Sequence, residues 1–142
     1  MNDTYKDNSL NEEDDMPGKV IRLLLVDDQP MVRVGLRMQL ELEEDIQVVG
    51  EASNGREALE RVQMLSPDVV VMDVDMPVLD GIAATEMMRR QWHELVVVIV
   101  SIHDDQGTRN RSKAAGAAAF VPKRGSTRTL VKAIRQAFRD SH

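Results

Sequence analysis

Five short apolar runs constrain this 142-residue chain more than any other feature of its sequence. They are residues 20–26 (VIRLLLV), 46–52 (IQVVGEA), 69–72 (VVVM), 95–100 (LVVVIV) and 117–121 (AAAFV). Each is too short for a buried helix and several are rich in β-branched residues, so they read as strands. The runs at 69–72 and 95–100 show no polar alternation, which marks strands buried on both faces of a parallel sheet. Asp27 and Asp28 follow the first run, Asp73 the third, Ser101 the fourth, and Lys123 lies just past the fifth. If the strands are parallel, these five groups share one end, where open α/β sheets bind their ligands. Asp73 alone could equally cap the next helix; its company favours a pocket.

Helical signals fill the gaps. Pro30 suits a first helical position, where its missing N–H costs nothing. Met31, Val34, Leu36, Met38, Leu40 and Leu42 then suggest a broad apolar face ending near Glu43. Asn54 with Glu57 three residues on forms an N-cap of the capping-box type, and Pro67 stops the helix it starts. A helix from about Gly81 to Gln91 offers Ile82, Ala83 and Met87 to the core, and Gly116 suits a C-cap. In the last helix Ser126 suits the N-cap. Leu130, Val131, Ile134 and Phe138 form its apolar stripe, with Arg128, Lys132, Arg135 and Arg139 as a solvated face. Five strands alternating with five helices imply a doubly wound parallel sheet.

Composition narrows the classes. Residues 19–142 suit one domain with a single core. The absence of cysteine excludes disulfides and thiolate metal sites. No apolar run approaches a bilayer-spanning length, and the acidic start is no signal peptide. A cytoplasmic protein with no membrane partner is therefore expected. The net charge is −6, and Asp3, Asp7, Glu12, Glu13, Asp14 and Asp15 against Lys6 place −5 of it in residues 1–18. That segment lacks apolar periodicity and reads as a disordered acidic tail. It could mask a basic surface, although a solvated extension without function is the simpler reading. The near-neutral remainder gives no electrostatic case for direct nucleic-acid binding. The nine methionines fall mostly at helical core spacing, so irregular packing explains them. No glycine-rich dinucleotide or P-loop motif occurs, and His93, His103 and His142 lack metal-ligand spacing.

The set Asp27-Asp28, Asp73, Ser101 and Lys123 resembles the receiver domain of two-component response regulators. The lines LLLVDDQPMVRVGL, VVVMDVDMPVLDGIAAT and AAGAAAFVPK resemble the NarL/LuxR-type subfamily in particular. The resemblance implies a flavodoxin-like (βα)5 three-layer fold with a five-stranded parallel sheet in the order 2-1-3-4-5. It implies that Asp73 accepts a phosphoryl group from a sensor histidine kinase with Mg²⁺. Its metal ligands would be the carboxylates of Asp28 and Asp73 and the backbone carbonyl of Asp75, with Asp27 acting through a metal-bound water. Lys123 and Ser101 would contact the phosphoryl oxygens, and the N–H groups of Val74 and Ile102 would complete the cradle. Ser101 and Phe120 would be the switch pair, moving a face made by the fourth helix, fifth strand and fifth helix. Physical chemistry agrees with the metal: two anions repel, and a hard cation with oxygen ligands removes that obstacle. The resemblance allows a homodimer, and it implies a transcriptional output carried outside these residues.

Some features depart from the family pattern. Pro122 precedes Lys123 rather than following it, so no Lys-Pro bond exists there. The chain stops at His142 where a DNA-binding domain would follow, which fits a stand-alone receiver or a piece of a longer protein. The segment 104–113 (DDQGTRNRSK) holds no large apolar side chain. A helix with so little to bury is expected to be frayed or displaced until phosphorylation or a partner orders it. Two other readings stay open at this stage. Asp73 and Asp75 also resemble the nucleophile motif of haloacid-dehalogenase-type phosphatases, and the domain could be a pseudo-receiver serving only as an interaction module.

Overall fold

The computed structural model describes residues 18–141. Strands and helices alternate as β1 (Ile21–Val26), α1 (Pro30–Leu40), β2 (Ile46–Ala52), α2 (Gly55–Leu65), β3 (Val69–Asp73), α3 (Gly81–Gln91), β4 (Val96–Ser101), α4 (Gln106–Ala114), β5 (Ala119–Pro122) and α5 (Thr127–Ser141). All strand pairs are parallel, in the order β2-β1-β3-β4-β5. This is the flavodoxin-like sheet. The period-two geometry of strands divides the core in two. Leu23, Leu25, Val71 and Val98 face Leu40, Leu130, Ile134 and Phe138 of α1 and α5. Leu24, Val70, Met72 and Ile99 face Ala58, Val62, Ala84 and Met88 of α2 and α3. β3 and β4 are buried along their whole length, as their unbroken apolar runs require.

The caps follow the sequence closely. Asn54 accepts from the Glu57 N–H at 2.9 Å, while the Glu57 carboxylate turns back to the N–H and hydroxyl of Ser53 rather than to Asn54. Pro30 opens α1, and Ser126 accepts from Thr129 at the start of α5. Gly116 adopts φ +103 after α4, with its N–H bonded to Lys113 and that of Ala117 to Ser112. This paired closure is the Schellman arrangement that glycine permits.

Three readings of helix faces are corrected. In α1 only Leu40 is buried and Leu36 packs partly, while Met31, Val34 and Met38 are exposed, as is Leu42 just beyond the helix. The cause is angular: at 100° per residue, 36 and 40 share the inner face, whereas 31, 34 and 38 share the outer one. In α3 Ala84, Thr85 and Met88 are buried and Ile82 packs partly against the core as expected, whereas Met87 lies outside. Among the described residues Met31, Met38, Met64 and Met87 are exposed, and packing accounts for Met72, Met76 and Met88. Arg135 of α5 is not merely solvated; it binds Glu43 and Asp45 at 2.7 Å.

The polar segment near residue 104 forms a regular helix. Asp105 caps it by accepting from both the N–H and the hydroxyl of Thr108 at 2.9 Å. Thr108 and Ser112 are buried, and the Ser112 hydroxyl donates to the Thr108 carbonyl at 2.8 Å. Small, internally satisfied hydroxyls thus replace aliphatic side chains, and the helix buries little apolar surface. The acidic tail reading concerns residues 1–18, all but the last of which lie outside the described residues. No helix among the described residues is long and apolar enough to cross a membrane.

Candidate functional site

The carboxyl ends of β1, β3, β4 and β5 meet in one pocket. It is lined by Asp28, Asp73, Asp75 and Lys123 on the polar side and by Val32, Leu36, Ile102, Val121 and Leu130 on the apolar side. One carboxylate oxygen from each of Asp27, Asp28 and Asp73 lies within 4.8 Å of the others. Asp73 ends β3 and is buried; its carboxylate lies 3.2 Å from the Lys123 ammonium. Asp27 follows β1, lies 2.8 Å from the same ammonium and accepts the Gln29 N–H at 2.9 Å. Lys123 is oriented by its own N–H, which donates to the Ser101 carbonyl at 2.8 Å.

This is a crowded set of charges. Burial, and then the neighbouring Asp27 carboxylate, push the Asp73 carboxyl from 3.8 up to about 6, against the pull of Lys123. Burial acts to lower the Lys123 ammonium, but the Asp27 and Asp73 carboxylates outweigh it and raise it. Three carboxylates facing one ammonium leave the pocket short of positive charge. A hard divalent cation with oxygen ligands fits that deficit, and the donor set is wholly oxygen.

The loop after β3 is held tightly. A Cβ on Gly81 would lie 1.9 Å from the Asp73 carbonyl oxygen, so only glycine lets α3 start this close to the end of β3. The Gly81 N–H bonds to the Val74 carbonyl at 2.9 Å, and Asp80 caps α3 through Ala83. The Leu79 N–H bonds to Pro77 across Val78, which sits at φ +72. That γ-type turn with a positive central φ is strained for a β-branched residue.

The remaining sequence-derived residues are placed as follows. Ser101 is buried at the end of β4, and its hydroxyl accepts the His103 N–H at 2.9 Å. The Val74 N–H is engaged with the Val100 carbonyl at 3.3 Å, so it must exchange partners before it can join any phosphoryl cradle. Ile102 is exposed at the rim. The Asp75 carboxylate pairs with His103 Nε2 at 3.1 Å, joining the loops after β3 and β4. Phe120 is half-buried with the Arg109 guanidinium 4.7 Å from its ring centre, and Arg109 is itself bound to Asp104. Sequence reasoning missed Arg33, whose guanidinium donates to the Asp27 carbonyl at 2.6 Å and to Glu51 at 2.9 Å. Its partner Glu51 lies on β2, 18 residues away, so no local spacing signals the contact.

Residues 23–135 match the family described as the response regulator receiver domain. The response regulator GacA of Pseudomonas aeruginosa is 39% identical over 84% of this chain and 56% of its own. The response regulator protein VraR of Staphylococcus saprophyticus is 33% identical over 83% of this chain and 56% of its own. The chain thus spans little more than half the length of these relatives. A protein-glutamate methylesterase/protein-glutamine glutaminase of Carboxydothermus hydrogenoformans is 36% identical over 81% of this chain but 34% of its own, so similar segments also occur within enzymes. Among solved structures, a two-component response regulator of the LuxR family from Aurantimonas superposes with a TM-score of 0.83 at 33% identity, covering 86% of this chain and 87% of the other. The signal receiver domain of the response regulator NarL from Mycobacterium tuberculosis superposes with a TM-score of 0.79 at 32% identity, covering 85% and 98%.

Proposed function

The chain belongs to the response regulator receiver family, and from that premise we propose that Asp73 is the phosphoacceptor of a two-component switch, served by a sensor histidine kinase. The observation that carries this is the convergence of Asp27, Asp28 and Asp73 on the Lys123 ammonium at the strand ends. A carboxylate oxygen of Asp73 attacks phosphorus, the phosphorus–nitrogen bond to the donor imidazole breaks, and its electron pair returns to the ring nitrogen. The product is an acyl phosphate. Lys123 leaves its present carboxylate partners in part to meet the incoming phosphoryl oxygens, as a point charge on a flexible stem can. The Ser101 hydroxyl accepts from His103 and still has its own proton to donate. Asp28, Asp73 and the Asp75 backbone carbonyl would hold Mg²⁺, with Asp27 behind them, and the bound ion would neutralise charge between nucleophile and phosphate.

The signal would leave through Ser101 and Phe120. Drawing Ser101 toward the phosphoryl group pulls on the loop that carries His103, and Phe120 turns inward from beneath Arg109. The α4–β5–α5 face then changes, as phosphorylation switches commonly act. A partner or output domain reads that face, and the likeness to LuxR-family response regulators favours gene regulation as the outcome. Homodimerisation through it would fit the same logic. We place the receiver unit at residues 19–142, with no direct role in nucleic-acid binding. The family match favours this reading over the dehalogenase-type phosphatase, and the complete acidic set speaks against a pseudo-receiver.

The test is chemical. Acetyl phosphate with Mg²⁺ is expected to add one phosphoryl group to the intact mass, labile to alkali and absent in Asp73→Asn. A group that persists in that variant would move the acceptor elsewhere.

A further inference from the structure

The acidic run at residues 12–15 (EEDD) is a strong sequence feature that the acceptor site leaves unused. Where the chain enters the fold gives it a destination. The Ile21 N–H bonds to the Asp45 carbonyl at 2.7 Å, and the Asp45 carboxylate binds Arg135 of α5. The chain therefore joins the domain beside the C-terminal half of α5. Arg139 lies close enough to depress the Asp45 carboxyl together with Arg135.

Along α5, Arg128, Lys132, Arg135 and Arg139 recur at spacings of four, three and four, which places them in one row. The upper part of that row lines a groove of about 610 Å³ between α1 and α5, with Gln39, Leu42 and Val131. Arg135 is neutralised by Glu43 and Asp45, but Arg128 and Lys132 have no ion-pair partner among the described residues. The reach is sufficient. Residues 12–15 are separated from Ile21 by nine to six positions, about 20–30 Å when extended. The fifteen residues of α5 rise about 22 Å. The other basic helix, α4, packs on the opposite sheet face against β5, at the edge remote from β1.

We propose that the acidic run at residues 12–15 binds the groove between α1 and α5 of its own chain, as a salt-sensitive cover over that face. Each exposed ion pair is weak alone and screened by salt. Tethering makes several of them effective together, because a short linker holds the segment at a local concentration of about millimolar. The exposed Leu42, just beyond α1, lines the same groove, so a protein partner docking on it must displace the acidic segment. This inference is independent of the identity of the phosphoacceptor.

The chain contains no cysteine, so Asn11→Cys gives a single attachment point for a nitroxide. Paramagnetic broadening is then read at every amide of the otherwise complete chain. Loss of signal is expected at residues 39–43 and 127–136, with residues 55–65 of α2 spared. The loss should disappear when Glu12 and Glu13 become Gln and Asp14 and Asp15 become Asn. It should also disappear in Arg128→Gln/Lys132→Gln, and at about 1 M salt, where the screening length is near 3 Å. Unchanged amide chemical shifts across the β-sheet check that these surface variants remain folded. Broadening spread evenly, centred on α4, or retained after neutralisation would overturn the proposal. So would broadening that passes equally between molecules when nitroxide-bearing and isotope-labelled chains are mixed.

Discussion

Replacing Asp73 with asparagine should stabilise the metal-free protein, although it removes the proposed phosphoacceptor. The folded carboxyl is raised from 3.8 to about 6 by burial and by Asp27, so ionising it in place costs free energy that the unfolded chain does not spend. At about 1.4 kcal/mol for each tenfold change, the difference corresponds to up to about 3 kcal/mol. The sign follows from proton counting. Between pH 3.8 and about 6 the folded state holds a proton that the unfolded state has released, so stability from this group is complete below that window. It is lost as pH rises through it. Asp73→Asn has no such loss, and Lys123 still has Asp27, 2.8 Å away in the wild type, as a carboxylate partner. Denaturant titrations in a metal chelator at pH 4, 5, 6 and 7.5 should therefore show near-equal stabilities at the acid end and a growing advantage for the variant above it. Adding Mg²⁺ at pH 7.5 should raise the wild type and narrow the gap, because a bound cation relieves the same repulsion. A variant no more stable than wild type at pH 7.5, or an advantage independent of pH, would refute the account of the pocket's charge.

Three further outcomes can be checked. Asp28→Ala removes a proposed direct ligand and Ser101→Ala only a phosphoryl contact, so a Mg²⁺ titration should be weakened far more by the first; equal losses would contradict the division of roles. Val78→Gly relieves a positive φ at a β-branched residue and should stabilise the fold by up to about 1 kcal/mol in thermal or denaturant unfolding, after the entropy that glycine adds to the unfolded chain. Amide hydrogen exchange in the resting protein should be faster in α4 than in α5, since α4 buries hydroxyls where α5 buries Leu130, Ile134 and Phe138. Beryllofluoride should narrow that difference, and equal protection without it would show α4 to be as firmly held as α5.

What the sequence by itself determined is local in origin. Continuous β-branched runs specify β3 and β4 as buried strands, because nothing in them prefers water on either face. Asn54, Pro30, Ser126 and Gly116 mark helix ends through bonds spanning only a few residues. The strand-end cluster was legible for a related reason. Parallel topology carries every strand's carboxyl end to one side, so Asp27, Asp28, Asp73, Ser101 and Lys123 could be gathered from their positions alone. Tertiary structure decided what depends on direction and on distant partners. An apolar residue count could not say that Leu36 and Leu40 face inward while Met31, Val34 and Met38 face out, because the docking angle of α1 selects the face. Nor could it show that Arg33 grips the carbonyl of Asp27, or that Arg135 ties α5 to Glu43 and Asp45. Those bonds join residues 6 to 92 positions apart, at distances that packing sets and spacing does not encode. The raised carboxyl of Asp73 belongs to the same class, since burial and a neighbouring charge exist only once the strands have been brought together.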